Sequence, residues 1–207
     1  LEQVFEDLVE AGLGSMPGGG AEVLSDRVWK KLYADKMGPA DWLRVHRAAH
    51  KFGLRSNATL LFGHIETVEE CVDHLLQLRD LQDETGGFMT YIPLRFWPEN
   101  TPIQKLGLSS ASTTLRHLAV GRLMLDNFDH VKSYWVMNGL DTAQISLYFG
   151  VDDFDSTVME EKITHMAGAT SPQALTVQHI RDLIEETGHD PVQRDTLYNE
   201  IPVASHV

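Results

Sequence analysis

The sequence predicts an α/β fold whose strands run parallel. Helical stretches alternate along the chain with short apolar runs rich in β-branched and aromatic residues, and no internal repeat interrupts this order. Strands separated by helices pair in parallel through right-handed crossovers. Roughly four to five such units are present, whereas a closed (β/α)8 barrel of the TIM type has eight. The chain therefore predicts the C-terminal half, or somewhat more, of such a barrel.

The first elements follow from apolar spacing and glycines. Residues 1–11 have the i, i+3, i+4 spacing of an amphipathic helix, which Gly12 closes. A strand end is expected at 13–17, followed by a helix over 21–36. Because Leu1 already belongs to the amphipathic pattern, we expect that the beginning of the natural protein is missing.

The middle of the chain predicts two strands and the helix between them. Pro39 begins a helix that runs to Gly53, and the apolar run 56–63 predicts a buried strand. Thr67 and Glu70 stand in the positions of a capping box, so a helix follows as far as Gly86. The aromatic and β-branched run 88–97 predicts the next strand.

The last part of the chain continues the alternation and ends irregularly. A helix is predicted over 112–127. After it we expect a strand at 130–139, a short helix at 141–150, a strand or strand-like turn at 151–157, helices near 157–167 and 176–187, and an irregular tail from residue 189. The whole chain, 1–207, is expected to be a single domain.

Charge and composition exclude several classes of protein. The formal net charge is −13, and no run of Lys and Arg occurs, so binding to nucleic acids or to anionic membranes is disfavoured. No apolar stretch approaches the roughly 18–20 residues that span a bilayer, and the first residues do not resemble a signal peptide. We expect a soluble, cytoplasmic protein.

A run of three glycines marks the first candidate binding loop. Ligands of parallel β/α folds lie at the carboxyl ends of the strands, where Gly18, Gly19 and Gly20 are expected. If Glu22 lies in the first turn of a helix, unpaired N–H groups there would face a carboxylate or phosphate. A flexible turn, with Glu22 only complementing a helix dipole, is the alternative.

The second candidate loop follows the strand at 56–63. Gly63, His64 and Glu66 offer backbone access, a titratable ring and a carboxylate within one turn, so His64 is a candidate catalytic residue. The alternative is structural: Glu66 caps the next helix and His64 binds a neighbouring loop.

Metal binding is not predicted from these residues. His46 and His50 have the spacing of a zinc-binding helix, but the intervening glutamate and a third ligand are missing, so a helix surface facing solvent or another helix is favoured. Cys71 is the chain's one cysteine and lies among acidic residues, which do not activate a thiol.

Several blocks together resemble radical S-adenosylmethionine enzymes of the futalosine route to menaquinone, and among them the aminodeoxyfutalosine synthases. They are PGGGAEVL, HRAAHKFGLRSNATLLFGHIET, HLLQLRDLQDETGGFMTYIPLRFWPENT, RLMLDN, DSTVMEEKITHMAGA and PVQRDTLY. The resemblance implies a radical-SAM barrel present from about its fourth strand onward, without the Cys-x3-Cys-x2-Cys loop that holds a [4Fe–4S] cluster. The chain alone is then expected to be inactive.

The resemblance also implies roles for single residues. Thr59 to Glu66 matches the superfamily pattern Gly-x-Ile-x-Gly-x-x-Glu beside the adenine of S-adenosylmethionine, with Thr59 in place of the first glycine. Pro17 to Glu22 would contact the cofactor or the substrate. The predicted cofactor residues are thus Gly18, Gly19, Gly20, Glu22, Thr59, Gly63, Glu66, Tyr91 and Pro93, and the predicted substrate residues are Arg95 and Asn138. Arg95 and Trp97 depart from the family pattern.

In the intact enzyme the resemblance implies that the 5′-deoxyadenosyl radical of S-adenosylmethionine adds to 3-[(1-carboxyvinyl)oxy]benzoate and gives 6-amino-6-deoxyfutalosine. A reductant such as flavodoxin or ferredoxin would be the protein partner. The alternatives are a dehypoxanthine futalosine cyclase, an FO synthase subunit, or a cluster-free module that binds a nucleoside without turning it over.

Overall fold

Parallel strands form the centre of the structure, a computed structural model that describes residues 1–202. In this part of the chain, β1 (Ser15–Met16), β2 (Arg55–Phe62), β3 (Phe88–Arg95) and β4 (His130–Val131) form one sheet in the order β1-β2-β3-β4. Each neighbouring pair is parallel. The predicted α/β class with a parallel sheet is therefore confirmed.

Helices connect and cover these strands. They are α1 (Glu2–Glu10), α2 (Asp26–Val28), α3 (Pro39–Lys51), α4 (Val68–Thr85), α5 (Ala111–Met124), α6 (Trp135–Asn138), α7 (Leu140–Ser146), α8 (Ile163–Met166) and α9 (Val177–Glu185). None of the helices among residues 1–202 is both long and apolar enough to cross a membrane.

The core lies between the sheet and the helices. Strands β2 and β3 pair over most of their length, from Asn57 opposite Thr90 to Phe62 opposite Arg95. Their side chains alternate, and Ala58, Leu60 and Phe62 are fully buried in the main apolar cluster. Near-continuous apolar strands are typical of parallel sheets.

The ends of α4 follow the sequence prediction. The Thr67 hydroxyl accepts a hydrogen bond from the Glu70 N–H, and the Glu70 side chain accepts one from the Thr67 N–H, which completes the capping box. At the other end, Gly86 has a φ of 60° and terminates the helix in the left-handed conformation that glycine adopts without strain.

The helix predicted over 21–36 begins later than expected. Helix α2 starts at Asp26, its first turn capped by the Ser25 hydroxyl, and continues as a π-helical turn over Trp29–Tyr33. Gly20 and Glu22 have φ angles of +90° and +47°, which a right-handed helix does not allow. The expectation that Glu22 lies in a first helical turn was wrong, so no helix N-terminus faces a ligand there.

Two further predictions needed correction. In the region 130–139 only His130–Val131 is a strand, and the chain then turns into α6, where the indole of the fully buried Trp135 donates to the Ser156 carbonyl at 2.9 Å. Helix α8 covers only four residues of the range 157–167. The strand-like turn at 151–157 is present as a parallel bridge between Lys132 and Asp153.

Candidate functional site

Glu66 organises the loop after β2. Its carboxylate accepts hydrogen bonds from the backbone N–H groups of Gly63 and His64, the second at 2.8 Å. Burial raises the pKa of Glu66, but the hydrogen bonds from His64 and from the backbone outweigh it, so the pKa lies below its ordinary value. This loop is held around a buried, ionised carboxylate.

The ring of His64 is part of the same arrangement. Its side chain is fully buried, Nε2 lies 2.9 Å from the Leu61 carbonyl, and Nδ1 lies 3.0 Å from the Glu66 carboxylate. Nδ1 also lies 2.8 Å from the Ile65 N–H, which donates to it, so both ring nitrogens are engaged within the loop. The geometry favours His64 as a residue that positions Glu66, and its catalytic role stays a prediction.

Gly63 and Arg95 both lie against Ser109, which belongs to the loop before α5. Gly63 has a φ of +94°, and a Cβ on it would overlap the Ser109 hydroxyl. The Arg95 guanidinium donates to the Ser109 carbonyl. Because Arg95 and Phe62 are register partners, the ends of β2 and β3 bring two predicted site residues together.

The glycine run lies against the neighbouring strand. Gly18 is buried, its carbonyl accepts a hydrogen bond from the Thr59 hydroxyl at 2.7 Å, and a Cβ there would overlap the Asn57 carbonyl. Gly19 is exposed, and a Cβ on it would meet nothing within 4 Å. Gly18 is therefore required by packing, whereas Gly19 and the exposed Gly20 leave their surface open.

Lys36 and Tyr33, which the sequence did not single out, connect Glu22 with His64. Lys36 Nζ lies 2.6 Å from the Glu22 carboxylate and 5.3 Å from the centre of the Tyr33 ring. That ring packs edge-on against His64, with 5.9 Å between centroids. Burial, and then the charges of Glu22 and Glu66, raise the pKa of Tyr33. These contacts join residues that are brought together only by the fold, so the spacing of residues in the sequence did not predict them.

The remaining predicted residues lie elsewhere. Tyr91 is fully buried on the helix side of the sheet, where a Cβ on Gly121 of α5 would overlap its ring, so it does not share the surface of the strand ends. Pro93 is buried opposite Leu60. Asn138 is buried in α6 and donates to the Ser133 hydroxyl at 3.2 Å.

A second polar cluster, also missed, surrounds Asp153. This buried carboxylate accepts hydrogen bonds from Arg194 at 2.5 Å and from the Tyr198 hydroxyl, and Lys132 Nζ lies 3.6 Å away. The Tyr198 ring stacks on His130 at 3.9 Å. The cluster joins the C-terminal segment to the strands, and its members are too far apart in sequence for local spacing to reveal them.

The side chains considered as metal ligands are engaged in packing. His46 and His50 both contact the Ser56 hydroxyl at 2.8 Å and face the sheet. Burial and the charges of Glu66 and Glu70 raise the pKa of Cys71 to about 12, so its thiol is protonated. Among residues 1–202, no group of three His, Cys, Asp or Glu side chains is arranged to hold a metal ion.

Comparisons with known proteins give one matching family model and relatives of two named activities. A family model described as CofH/MqnC C-terminal region matches residues 85–207. The chain is 49% identical to the aminodeoxyfutalosine synthase of Thermus thermophilus over 99% of its own length, and 41% identical to that of Streptomyces coelicolor over 94%. It is 38% identical over 99% to a 5-amino-6-(D-ribitylamino)uracil–L-tyrosine 4-hydroxyphenyl transferase of Methanosarcina acetivorans.

The chain spans little more than half of these relatives. The matches cover 56%, 53% and 56% of the three proteins, respectively.

Proposed function

Because this chain belongs to the CofH/MqnC C-terminal-region family and is homologous to aminodeoxyfutalosine synthases over nearly all its length, we propose that it forms part of such an enzyme. In this reaction the 5′-deoxyadenosyl radical of S-adenosylmethionine adds to the enol-ether double bond of 3-[(1-carboxyvinyl)oxy]benzoate, and rearrangement with loss of a carboxylate gives 6-amino-6-deoxyfutalosine for menaquinone biosynthesis. Flavodoxin or ferredoxin serves as the reductant, and the enzyme is cytoplasmic.

The fold supports a barrel in the longer protein. The four parallel strands, with Asp153 bridged to Lys132 beyond β4, have the order and direction of consecutive barrel strands. We propose that this sheet is the C-terminal part of a radical-SAM (β/α)8 barrel, and that the carboxyl ends of its strands face the reaction chamber.

One observation carries the assignment of the cofactor site. The Glu66 carboxylate fixes the N–H groups of Gly63 and His64 at the end of β2, which leaves a rigid backbone surface beside Thr59 and Gly18. Such a surface suits the flat, hydrogen-bonding adenine of S-adenosylmethionine. The cofactor residues of this proposal are Gly18, Gly19, Gly20, Glu22, Thr59, Gly63 and Glu66, with Pro93 behind them.

The iron–sulfur cluster does not fit residues 1–202. Cysteine thiolates ligate such clusters, and Cys71 is buried and protonated. The cluster, which cleaves S-adenosylmethionine reductively when bound, is therefore assigned to another part of the enzyme. The residues of this chain bind and orient: the strand ends hold the nucleoside, and Arg95 holds the substrate, whereas Asn138 is buried behind this surface.

The proposed function is tested by product analysis of the full-length protein. The reconstituted protein is incubated anaerobically with S-adenosylmethionine, reductant and 3-[(1-carboxyvinyl)oxy]benzoate, and the products are identified by mass spectrometry. We expect 6-amino-6-deoxyfutalosine, with loss of product in Glu66→Ala and retention in Glu6→Gln, a surface variant on α1. Release of 5′-deoxyadenosine without coupling to the substrate would contradict the proposal.

A second candidate follows from the similarity to the 4-hydroxyphenyl transferases. The same protein is then offered 5-amino-6-(D-ribitylamino)uracil and L-tyrosine, and a coupled product would favour that activity. A cyclised product from dehypoxanthine futalosine would instead indicate the cyclase, and nucleoside binding without any turnover would indicate a binding module.

A further inference from the structure

Among residues 1–202, the Arg95 guanidinium has no negative partner. It is half-buried at the end of β3, and within residues 1–202 no carboxylate lies within the 4.0 Å that defines an ion pair. Its Nε is buried without a hydrogen-bond partner in that part of the chain, while one terminal nitrogen donates to the Ser109 carbonyl. Burial lowers the pKa of Arg95, because the charged form is less stable when it is partly removed from water.

Other arginines of this acidic chain are neutralised. Arg27 pairs with Glu70 at 2.6 Å, Arg79 with Asp126 at 2.7 Å, and Arg194 with Asp153 at 2.5 Å. A guanidinium that is desolvated and left without an acid is costly unless a ligand supplies the charge. The buried Nε–H has no partner, and the terminal nitrogen on the same edge donates to Ser109; such an edge binds a carboxylate in fork geometry once the loop at Ser109 admits it.

The charge of Arg95 lies over the face of an aromatic ring. The Arg95 guanidinium carbon lies 5.6 Å from the centre of the Trp97 ring. The Trp97 indole donates to the Met137 carbonyl at 2.9 Å, which fixes its orientation and connects it to the turn that contains Asn138. A flat apolar surface next to a guanidinium suits a planar anion whose charge is attached to an aromatic ring.

We propose that Arg95 and Trp97 form the recognition site for the ring carboxylate of an aromatic acid, namely the benzoate carboxylate of the substrate. This assignment rests on the proposed function for the identity of the acid, and it decides between the two carboxylates of that substrate. The enol-ether carboxylate is attached to the reacting double bond, whereas the benzoate carboxylate is attached directly to the aromatic ring. Arg95 is thus a residue that determines specificity for the benzoate end.

The test compares two substrates in the full-length holoenzyme. One is 3-[(1-carboxyvinyl)oxy]benzoate, and the other is its analogue with a neutral carboxamide on the ring. The wild type is expected to prefer the carboxylate by at least about 30-fold in kcat/KM, because truncating one side of a desolvated charge pair costs this much or more.

Three variants separate recognition from a structural role. Arg95→Gln is expected to lose the preference, chiefly through a higher KM for the carboxylate, while turnover of the carboxamide changes little. Arg95→Lys restores the charge without the fork and recovers part of the preference. Arg116→Gln removes an exposed arginine of α5 and keeps the full preference. If Arg95→Gln slowed both substrates equally, Arg95 would only fasten the loop at Ser109 and the inference would fall.

A binding measurement keeps this result independent of the proposed function. The full-length protein is titrated with 3-hydroxybenzoate and with 3-hydroxybenzamide, and tryptophan fluorescence is followed in the wild type and in Trp97→Phe. Binding of the acid that depends on Arg95 and changes Trp97 emission supports the site even if no 6-amino-6-deoxyfutalosine is formed. Product formation by an enzyme whose carboxylate preference survives Arg95→Gln overturns the site and leaves the proposed function standing.

Discussion

Nδ1 of His64 lies 3.0 Å from the Glu66 carboxylate, and both groups belong to a turn that begins with Gly63. The two side chains are thus tied to the backbone that carries them, since Glu66 also accepts the N–H groups of Gly63 and His64. The sequence of this segment is compatible with a structural and with a ligand-binding interpretation. In this geometry they are compatible, because Glu66 shapes the surface that a cofactor would contact.

Replacing Glu66 by Gln tests this arrangement. One carboxylate oxygen faces each backbone N–H, so an amide must turn its NH2 group toward one of them and leave that donor unpaired. We expect the free energy of unfolding to fall by about 1–3 kcal/mol, measured by urea denaturation of the full-length protein. Glu6→Gln, on the exposed face of α1, should change it by less than about 0.5 kcal/mol. Equal stability of the two variants would contradict the anchoring role.

Removing a charge from the Asp153 cluster should lower the free energy of unfolding more than Glu66→Gln does. Burial raises the pKa of Asp153, but Lys132 and Arg194 outweigh burial and hold it below the ordinary value. Arg194→Gln removes one of these partners and leaves a buried carboxylate undercompensated, so we expect a loss of about 3–5 kcal/mol. The C-terminal segment should also become more sensitive to limited proteolysis.

A double variant in the Asp153 cluster provides the matched comparison for Arg194→Gln. In Asp153→Asn with Arg194→Gln, both charges are absent, and we expect part of the stability to return. Arg181→Gln serves as the control, because Arg181 lies 4.0 Å from Glu185 on the surface of α9. If the double variant were no more stable than Arg194→Gln alone, charge compensation would not be what holds this segment.

Short sequence patterns predicted the regular helices and strands of this fold. They failed where contacts between residues far apart in the sequence determine the local structure. The capping box at Thr67 and the stop at Gly86 depend on residues within one turn, so the sequence revealed them. Trp135 belongs to a run that is typical of strands, yet its indole bonds to the Ser156 carbonyl and the chain turns into α6. The pairing of Asp153 with Arg194 joins residues 41 positions apart, which periodicity does not detect.

Acid should destabilise the protein through His46 and His50. The Thr85 hydroxyl donates to the Leu81 carbonyl, and therefore accepts from Nδ1 of His50. Ser56 then donates to Nε2 of His50, which makes the His50 ring neutral, and accepts from Nδ1 of His46. Burial lowers the pKa of His46 to about 3 and that of His50 to about 4.

The sign of the pH effect follows from these values. Above about pH 6.5 both histidines are neutral in the folded and in the unfolded chain. Below that pH they bind protons in the unfolded chain but not in the folded chain. Between pH 6.5 and 5 each histidine therefore removes about 1.5 kcal/mol of stability. Urea denaturation at several pH values should show a shallower slope in His46→Gln and an unchanged slope in His179→Gln, which alters an exposed residue of α9. An unchanged slope in His46→Gln would show that the folded protein protonates His46 as readily as the unfolded chain does, which would contradict the lowered pKa.

Gly18 and Gly19 separate packing from ligand binding within one loop. An alanine at 18 would overlap the Asn57 carbonyl and disturb the hydrogen bond from Thr59, so Gly18→Ala should lower the melting temperature of the full-length protein. An alanine at 19 meets nothing within 4 Å, so Gly19→Ala should leave it unchanged. If the glycines approach the cofactor, Gly19→Ala will instead weaken S-adenosylmethionine binding, measured by equilibrium dialysis. Wild-type affinity in Gly19→Ala would show that the open surface of this loop does not contact the cofactor, and that Gly18 is there for the strand it packs against.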